Sequence, residues 1–448
     1  MSGDTVDSAA AIFGLPAMPL ATLVLVATYA VLIADRFNRA VVALSGAAAT
    51  LVLGLLAPSE AVHGVDWNTI ALLLGMMLLV GVSRRSGMFE YVAVWAAQRV
   101  RAHPAGLLAA LQVVTAVLSA FLDNVTTVLL VVPVTLIIVE RLKLDPYPYL
   151  FSEILASNIG GTATLIGDPP NILIGNAVPF TFNQFLIHLS PVVAIVMVVQ
   201  AALLHLMWGR RLEAHHDDRA HVMRLEPHAS IVDGRLLVQS LAVLALVIAG
   251  FVLAHTIGVL PGITALAGAG LLMLLDAWGA ASQERRRRVV AALEAVDWVT
   301  ILFFVGLFVV VAAVERSGLL QLLADRVVQA TCGSLPATTM VVLWSSAILS
   351  AIVDNIPFVA TMLPLIRAMA PHLGGVAGLD PVWWSLALGA CFGGNGTLIG
   401  ASANLTVAGL GERAGYPIGF TRFTLHAFPL MLVSVAIAAV YVWLRYLT

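Results

Sequence analysis

Three carboxylates stand where the surrounding residues are almost entirely apolar: Asp123, Asp168 and Asp354. Asparagine follows two of them directly, as Asn124 and Asn355, and Asn171 lies three residues after the third. Carboxylates and carboxamides together can bind a proton, or a cation that competes with it. An ionisable group placed in hydrocarbon is costly, so each one points to function. The Asp-Asn pairs also suit a plainer role, because a carboxylate at a helix start accepts backbone N–H bonds. Capping and ion binding are compatible at one residue. Glu140 and Glu153 are also set in apolar surroundings, nearer the ends of their helices.

Asp168 sits in a second pattern, Ser157-Asn158-Ile159-Gly160-Gly161-Thr162-Ala163-Thr164-Leu165-Ile166-Gly167-Asp168-Pro169-Pro170-Asn171. Glycine costs about 1 kcal/mol in a helix interior and proline about 3. So many of them within a dozen residues predict a helix that is broken there. A break exposes N–H groups at one half-helix start and carbonyls at the other half-helix end, which are ligands for small ions and oxyacids. A related stretch, Gly393-Gly394-Asn395-Gly396-Thr397-Leu398-Ile399-Gly400-Ala401-Ser402-Ala403-Asn404, follows at an offset of 233 residues. In it Ala401 stands where the first stretch has Asp168, so that acid has no twin.

These stretches belong to a longer duplication. Val65-Asp66-Trp67 recurs as Val296-Asp297-Trp298, Arg85-Ser86-Gly87 as Arg316-Ser317-Gly318, and Ser119 to Asn124 as Ser350 to Asn355. Pro133 recurs as Pro364, and all share an offset of 231 residues. The chain is 60% hydrophobic and 11% charged, with mean hydropathy +0.98. That is membrane composition, and a span needs about 20 residues of helix. Polar, Gly-rich interruptions at matching places in two apolar halves are a pointer to a secondary transporter and its binding site.

Membrane segments are read at 17–34, 40–57, 68–83, 148–175 and 184–208, then at 236–254, 259–276, 299–315, 382–408 and 423–444. Between the third and fourth of each half lies a stretch split by Asp-Asn, 105–139 and 337–368. Each reads as a re-entrant hairpin of two short helices with Asp-Asn near its tip, allowed at depth only if it is buried or lines a wet cavity. The expected fold is all-α and polytopic: a repeat at 1–208, a cytoplasmic linker at 209–235, and an inverted repeat at 236–448. Five crossings per repeat, an odd number, invert the second. With the N-terminus outside, 19 Lys and Arg fall inside and 4 outside, as the positive-inside rule asks. Both termini are then extracytoplasmic, in an inner (plasma) membrane of bacterial type. Residues 88–102 and 319–331 read as amphipathic helices in the interface. The linker, with His215, His216, His221 and His228, reads as a solvated connection. Met1 to Ala10 has no basic residue and does not read as a cleavable signal.

Several classes are set aside. No basic tail suggests nucleic acid as a partner. No nucleophile–base pair or metal-ligand cluster suggests an enzyme, and no cofactor is implied. Cys332 and Cys391 are too few for a disulfide framework, and a lone Cys391 in an apolar helix reads as packing. No Lys or Arg is placed at the site, which argues against a di- or tricarboxylate and for a cation or a small neutral hydroxylated species.

Phe121 to Leu130, Leu144-Asp145-Pro146, Asn158 to Gly161 and Gly167-Asp168-Pro169-Pro170-Asn171 resemble the ion transporter superfamily. Within it they are most similar to the branch of arsenite permeases (ArsB), NhaD-type sodium/proton antiporters and the P protein, with its citrate transporter-like domain. The resemblance runs from Val65 to the C-terminus. It implies a scaffold part, an elevator-like transport part and a homodimer, with a separate ATPase partner known for arsenite permeases. Asp-Asn-Val and Asp-Asn-Ile replace the Ser-Asn-Thr signatures of dicarboxylate members. The expected site is Asp123, Asn124, Asp354 and Asn355 at the tips, with Asn158, Thr162, Thr164, Asp168, Asn171, Asn395, Thr397 and Asn404 at the breaks. The expected function is proton-coupled arsenite or antimonite efflux, with sodium/proton antiport as the alternative. A dicarboxylate carrier or an ion channel on the same scaffold stays open.

Overall fold

The computed structural model describes residues 16–34, 36–178 and 180–448. The stretch Met1 to Ala10 lies outside the described residues. Among the described residues there are twenty-one α-helices and no β-strand. The first repeat comprises α1 (Ala17–Ile33), α2 (Arg39–Val52), α3 (Pro58–Gly64), α4 (Trp67–Arg84), α5 (Met88–Arg99), α6 (Pro104–Phe121), α7 (Asn124–Arg141), α8 (Tyr147–Gly161), α9 (Pro169–Ala177) and α10 (Phe182–Leu204). The linker carries α11 (His216–Met223). The second repeat answers in the same order with α12 (Gly234–Ile257), α13 (Pro261–Ala277), α14 (Ser282–Glu294), α15 (Trp298–Arg316), α16 (Leu319–Ala330), α17 (Leu335–Ile352), α18 (Asn355–Met369), α19 (Asp380–Gly393), α20 (Ser402–Arg413) and α21 (Phe420–Val442). Among the described residues eight helices are long and apolar enough to cross a membrane, and α1, α2 and α13 are shorter apolar helices.

The repeated sequence motifs are helix boundaries. Asp66 caps α4 by accepting from the N–H groups of Asn68 and Thr69 at 3.0 and 3.1 Å, and Asp297 caps α15 from Thr300 at 3.1 Å. The following tryptophans, Trp67 and Trp298, each donate an indole N–H back to a carbonyl five residues earlier, at 3.1 Å. Arg85-Ser86-Gly87 and its twin end those helices, with Gly87 at φ 82° and Gly318 at φ 80°, a conformation that costs a residue with a Cβ. Asp123 and Asp354 cap α7 and α18 in the same manner.

Packing sorts the helices into two groups. In one, α4 packs on α13 and α2 packs on α15, so the repeats are interlocked; α1 and α12 flank them. In the other, α6 packs on α8 and α17 on α19, each within its own repeat, with α10 and α21 alongside. The second kind of crossing is close. A Cβ on Gly160 would stand 2.5 Å from the Cα of Ala116, and one on Gly393 would stand 2.6 Å from that of Ala347.

The hairpins differ from the expectation of short helices. The arms α6, α7 and α17 have 18 residues each and α18 has 15. At 1.5 Å per residue an 18-residue arm is about 27 Å long. Their tips nonetheless meet in the protein interior, since Asn124 and Asn355 both reach Asp168. The bases lie at opposite ends. Arg101 and Lys143, at the base of the first hairpin, touch the linker at Arg219 and Asp218. Arg367, near the base of the second, donates to the carbonyl of Ala177. This is the inverted arrangement of a two-repeat membrane protein.

The linker is not a merely solvated connection. Val222 is fully buried, Lys143 pairs with Asp218 at 3.0 Å, and Gln98 donates to the carbonyl of Leu225. The linker therefore marks one end of the molecule, here the linker end. Among the described residues no three His, Cys, Asp or Glu gather as metal ligands. At the far end the Ala57 N–H, and then Arg316, hold the Glu60 carboxyl below its usual range.

Candidate functional site

Each broken helix is held open by its own asparagine. The Asn171 amide donates to the carbonyls of Thr162 and Thr164 at 3.0 and 2.8 Å, and that of Asn404 to Gly394 and Thr397 at 2.7 and 2.8 Å. Carbonyls freed by the break thus find partners, as buried backbone must. Thr164 and Thr397 tie each break to the adjacent hairpin through the carbonyls of Ala120 and Ala351. Thr162 donates to the Asn158 carbonyl at 2.7 Å. These five expected site residues, Asn171, Asn404, Thr162, Thr164 and Thr397, spend side-chain donors on the framework.

The remaining expected residues converge. Asp168, wholly buried, accepts from Asn124 at 3.2 Å and from Asn355 at 3.3 Å, one carboxamide from each hairpin tip. Asn158, also wholly buried, accepts from Asn124 at 3.0 Å and donates to Asn395 at 2.9 Å and Asn404 at 2.8 Å. One chain of carboxamides therefore links both breaks and both tips to a single carboxylate. Asn124 Oδ1 and Asn395 Nδ2 are buried without a hydrogen-bond partner among the described residues. Asp123 accepts from the Thr126 N–H at 2.7 Å and from its hydroxyl. Asp354 accepts from Ile356 at 3.0 Å and from the Ser402 hydroxyl at 2.7 Å.

The twin of Asn158 is Cys391. Its thiol faces the Asn171 side-chain oxygen at 3.6 Å, as the Asn158 amide faces Asn404. Cys391 is thus a second-repeat staple, buried beside the break.

One expectation fails. The site does have a basic residue, Arg39, from the start of α2 in the interlocked group. Its guanidinium donates to the Ser402 hydroxyl and lies 3.9 Å from Asp354 and 3.4 Å from Asp297. No spacing signals this, because its partners lie hundreds of residues away in sequence. Lack of positive charge therefore no longer counts against an anionic cargo.

A cavity of about 110 Å³ runs to this cluster from the linker end. It is lined by Met77, Val80, Gly81, Arg84, Ala295 and Asp297 on the interlocked group, facing Asp123, Asn124, Pro169, Asn355 and Ser402. At the far end lies a groove of about 300 Å³. Its interlocked face is Phe308, Val311, Ala312, Glu315, Gly64 and Asp66, the twins of the first six, residue for residue. It meets Asn176, Ala360 and Arg367 and stops short of either tip.

Comparison with known proteins identifies the family and the fold. The sequence pattern of the citrate transporter family CitMHS matches residues 29–389. A Mycobacterium tuberculosis protein described as an uncharacterized transporter is 44% identical over 431 residues, 95% of this chain and 98% of that protein. A 46 kDa membrane protein of Mycobacterium leprae is 41% identical, over 96% of this chain and 99% of that one. The human P protein is 33% identical over 94% of this chain, which spans 59% of the P protein's length. Among solved structures, the YdaH transporter of Alcanivorax borkumensis superposes with a TM-score of 0.59 at 16% identity, covering 96% of this chain and 97% of that one.

Proposed function

The chain belongs to the CitMHS citrate transporter family, a multi-pass membrane transporter family, and from that premise we propose that it is a secondary active carrier working by alternating access. One observation carries the reading. Two identical-by-repeat surfaces of the interlocked group face different depths of the other group. At the linker end the surface meets residues 123–130 of the first hairpin; at the far end it meets residues 360–367 of the second, whose twins are 129–136. The two registers differ by about six residues, or about 9 Å of helix. Exchanging them would slide the second group toward the far end by that distance, close the linker-end cavity and open the far groove to the tips. A channel needs no such displaced register, so the carrier is favoured over it.

Asp168 is assigned as the coupling group. Of the three acids at the tips and breaks it is the one without a twin, and both tips and the break meet on it. A carboxylate can carry a proton or a cation, one at a time, and Asn124 Oδ1 is a spare oxygen beside it. The cavity walls hold Asp123 and Asp297 against Arg39 and Arg84, and Asp168 and Asp354 beside them bring the site to four acids against two bases. That balance favours a small cation exchanged for protons, as in sodium/proton antiport. Arg39 and the family's description favour a second reading, a carboxylate anion moved with a coupling cation. Arsenite, first from the sequence, is favoured by one feature only, the buried Cys391 thiol that lies against Asn171 and Asp168. The linker end is assigned to the cytoplasm by its basic residues, which leaves both termini outside.

The test is the full chain in liposomes with a trapped pH dye, given sodium, lithium, arsenite and citrate in turn, with Asp168→Asn alongside. Proton movement evoked by sodium and lost in the variant supports antiport. Movement evoked by citrate or arsenite alone replaces the cargo. Silence to all four overturns the coupling assignment.

A further inference from the structure

Asp123 and Asp354 are twins, yet only one has a fixed cation beside it. Among the described residues no Lys or Arg pairs with Asp123. Asp354 has Arg39 at 3.9 Å, and Ser402 joins them, accepting from the guanidinium and donating to the carboxylate at 2.7 Å. The partners of Arg39 belong to two different bodies. Asp297 and Thr300 head α15, which packs on α2, the helix that carries Arg39. Ser402 and Asp354 belong to the second break and the second hairpin tip.

We infer that Arg39 is a tethered competitor for a cation at Asp354. The inference rests on the sliding motion proposed above. With the site toward the linker end, the guanidinium supplies the positive charge that Asp354 needs in an apolar setting. When the site slides about 9 Å toward the far end, Arg39 stays with Asp297 and Thr300 on the body that does not follow. Asp354 then takes a mobile cation or a proton in its place. On the return, Arg39 meets Asp354 again and that cation leaves toward the linker end. The positive charge facing Asp354 is then a fixed one, shared with Asp297, at one end and a mobile one at the other. Cation release is therefore favoured at the linker end and capture at the far end. Partial exposure permits this exchange, since the Arg39 and Asp354 side chains are 25% and 23% exposed and both line a smaller cavity of about 70 Å³ beside Phe303 and Pro357, which adjoins the linker-end cavity at Arg39.

The probe is sodium alone, measured with right-side-out and inside-out vesicles so that each face is read separately. Arg39→Gln is expected to lower half-saturating sodium at the linker face about tenfold, the direction set by removing a positive charge near Asp354. The far face is expected to keep its value. Net transport slows while exchange at equal sodium on both sides continues. Arg39→Lys, which keeps the charge, should shift the ratio of the two faces less than Arg39→Gln, and Ser402→Ala should shift it in the same direction as Arg39→Gln. Equal half-saturation in wild type and Arg39→Gln at the linker face overturns the inference, as does an equal change at both faces. If wild type shows sodium-dependent flux that Asp168→Asn abolishes, such a result sinks the Arg39 inference alone. If wild type shows none, this inference falls, while the coupling assignment falls only if lithium, arsenite and citrate are silent too.

Discussion

The two grooves that flank the site are the same surface built twice, and they end differently. At the linker end Arg84, Ala295 and Asp297 open onto both hairpin tips. At the far end Glu315, Gly64 and Asp66 open onto the flank of α18 and the last turn of α9. The gripping chemistry differs as well. Thr300, bonded to Asp297, meets the Arg39 guanidinium. Thr69, bonded to Asp66, meets the Asn176 amide at 2.6 Å, and Asn68 adds a bond to Asn176 at 2.7 Å. One end is held through an ion pair that a mobile charge can replace. The other is held by neutral amides that need only water in exchange. Duplication supplies the frame, and the departures from it supply direction.

The departure with the largest expected effect is Asp168, whose twin is Ala401. Asp168→Asn should reduce coupled flux in liposomes to the rate of empty vesicles, while Thr397→Ala on the framework leaves measurable flux. Equal loss in both would erase the distinction between coupling group and staple. The next test addresses register. Thr300→Cys with Gly409→Cys, in a chain lacking Cys332 and Cys391, should cross-link only when the site has moved to the far end. It should arrest transport until reductant is added. Cross-linking in the linker-end arrangement would refute the six-residue offset.

Where the repeats agree, their variants should agree too. Gly160→Ala and Gly393→Ala each force a Cβ against a neighbouring helix backbone, and each should cost about 1–3 kcal/mol and lower Tm by similar amounts. Unequal shifts would show that one crossing carries more of the fold. The smallest effect is expected at the linker. Lys143→Ala removes an ion pair whose lysine is 76% exposed, so the change should stay below about 1 kcal/mol. Thermal unfolding of the purified chain reads all three.

Helix limits are legible in the sequence because the surviving repeated motifs are caps and turns, which depend on nearest neighbours along the chain. The lone Asp168 is legible because its counterpart in the repeat is alanine. Arg39 is not, since its role is set by helices distant in sequence that packing brings together. The linker's docking escapes for a related reason: Asp218 and Val222 look solvated until the base of the first hairpin covers them. Five framework residues look like ligands because a broken helix needs polar side chains to satisfy itself before it can satisfy an ion. Helices α3 and α14 are too short or too charged to register as spans.

The interlocking of α4 with α13 and of α2 with α15 has a consequence for biosynthesis. When the first half of the chain leaves the ribosome, α6 and α8 can pair at once, whereas α2 and α4 have partners that are not yet translated. Those two helices must wait in the bilayer beside the insertion machinery, with Gly75 and its surroundings facing lipid where Ala265 will later pack. Membrane helices gain little from hydrophobicity on meeting, so the wait is tolerable, and close contact of small residues completes it. The nascent chain therefore pairs the first half of its carrying body at once, closes its frame when α13 and α15 are made, and adds α17, α19 and α21 last.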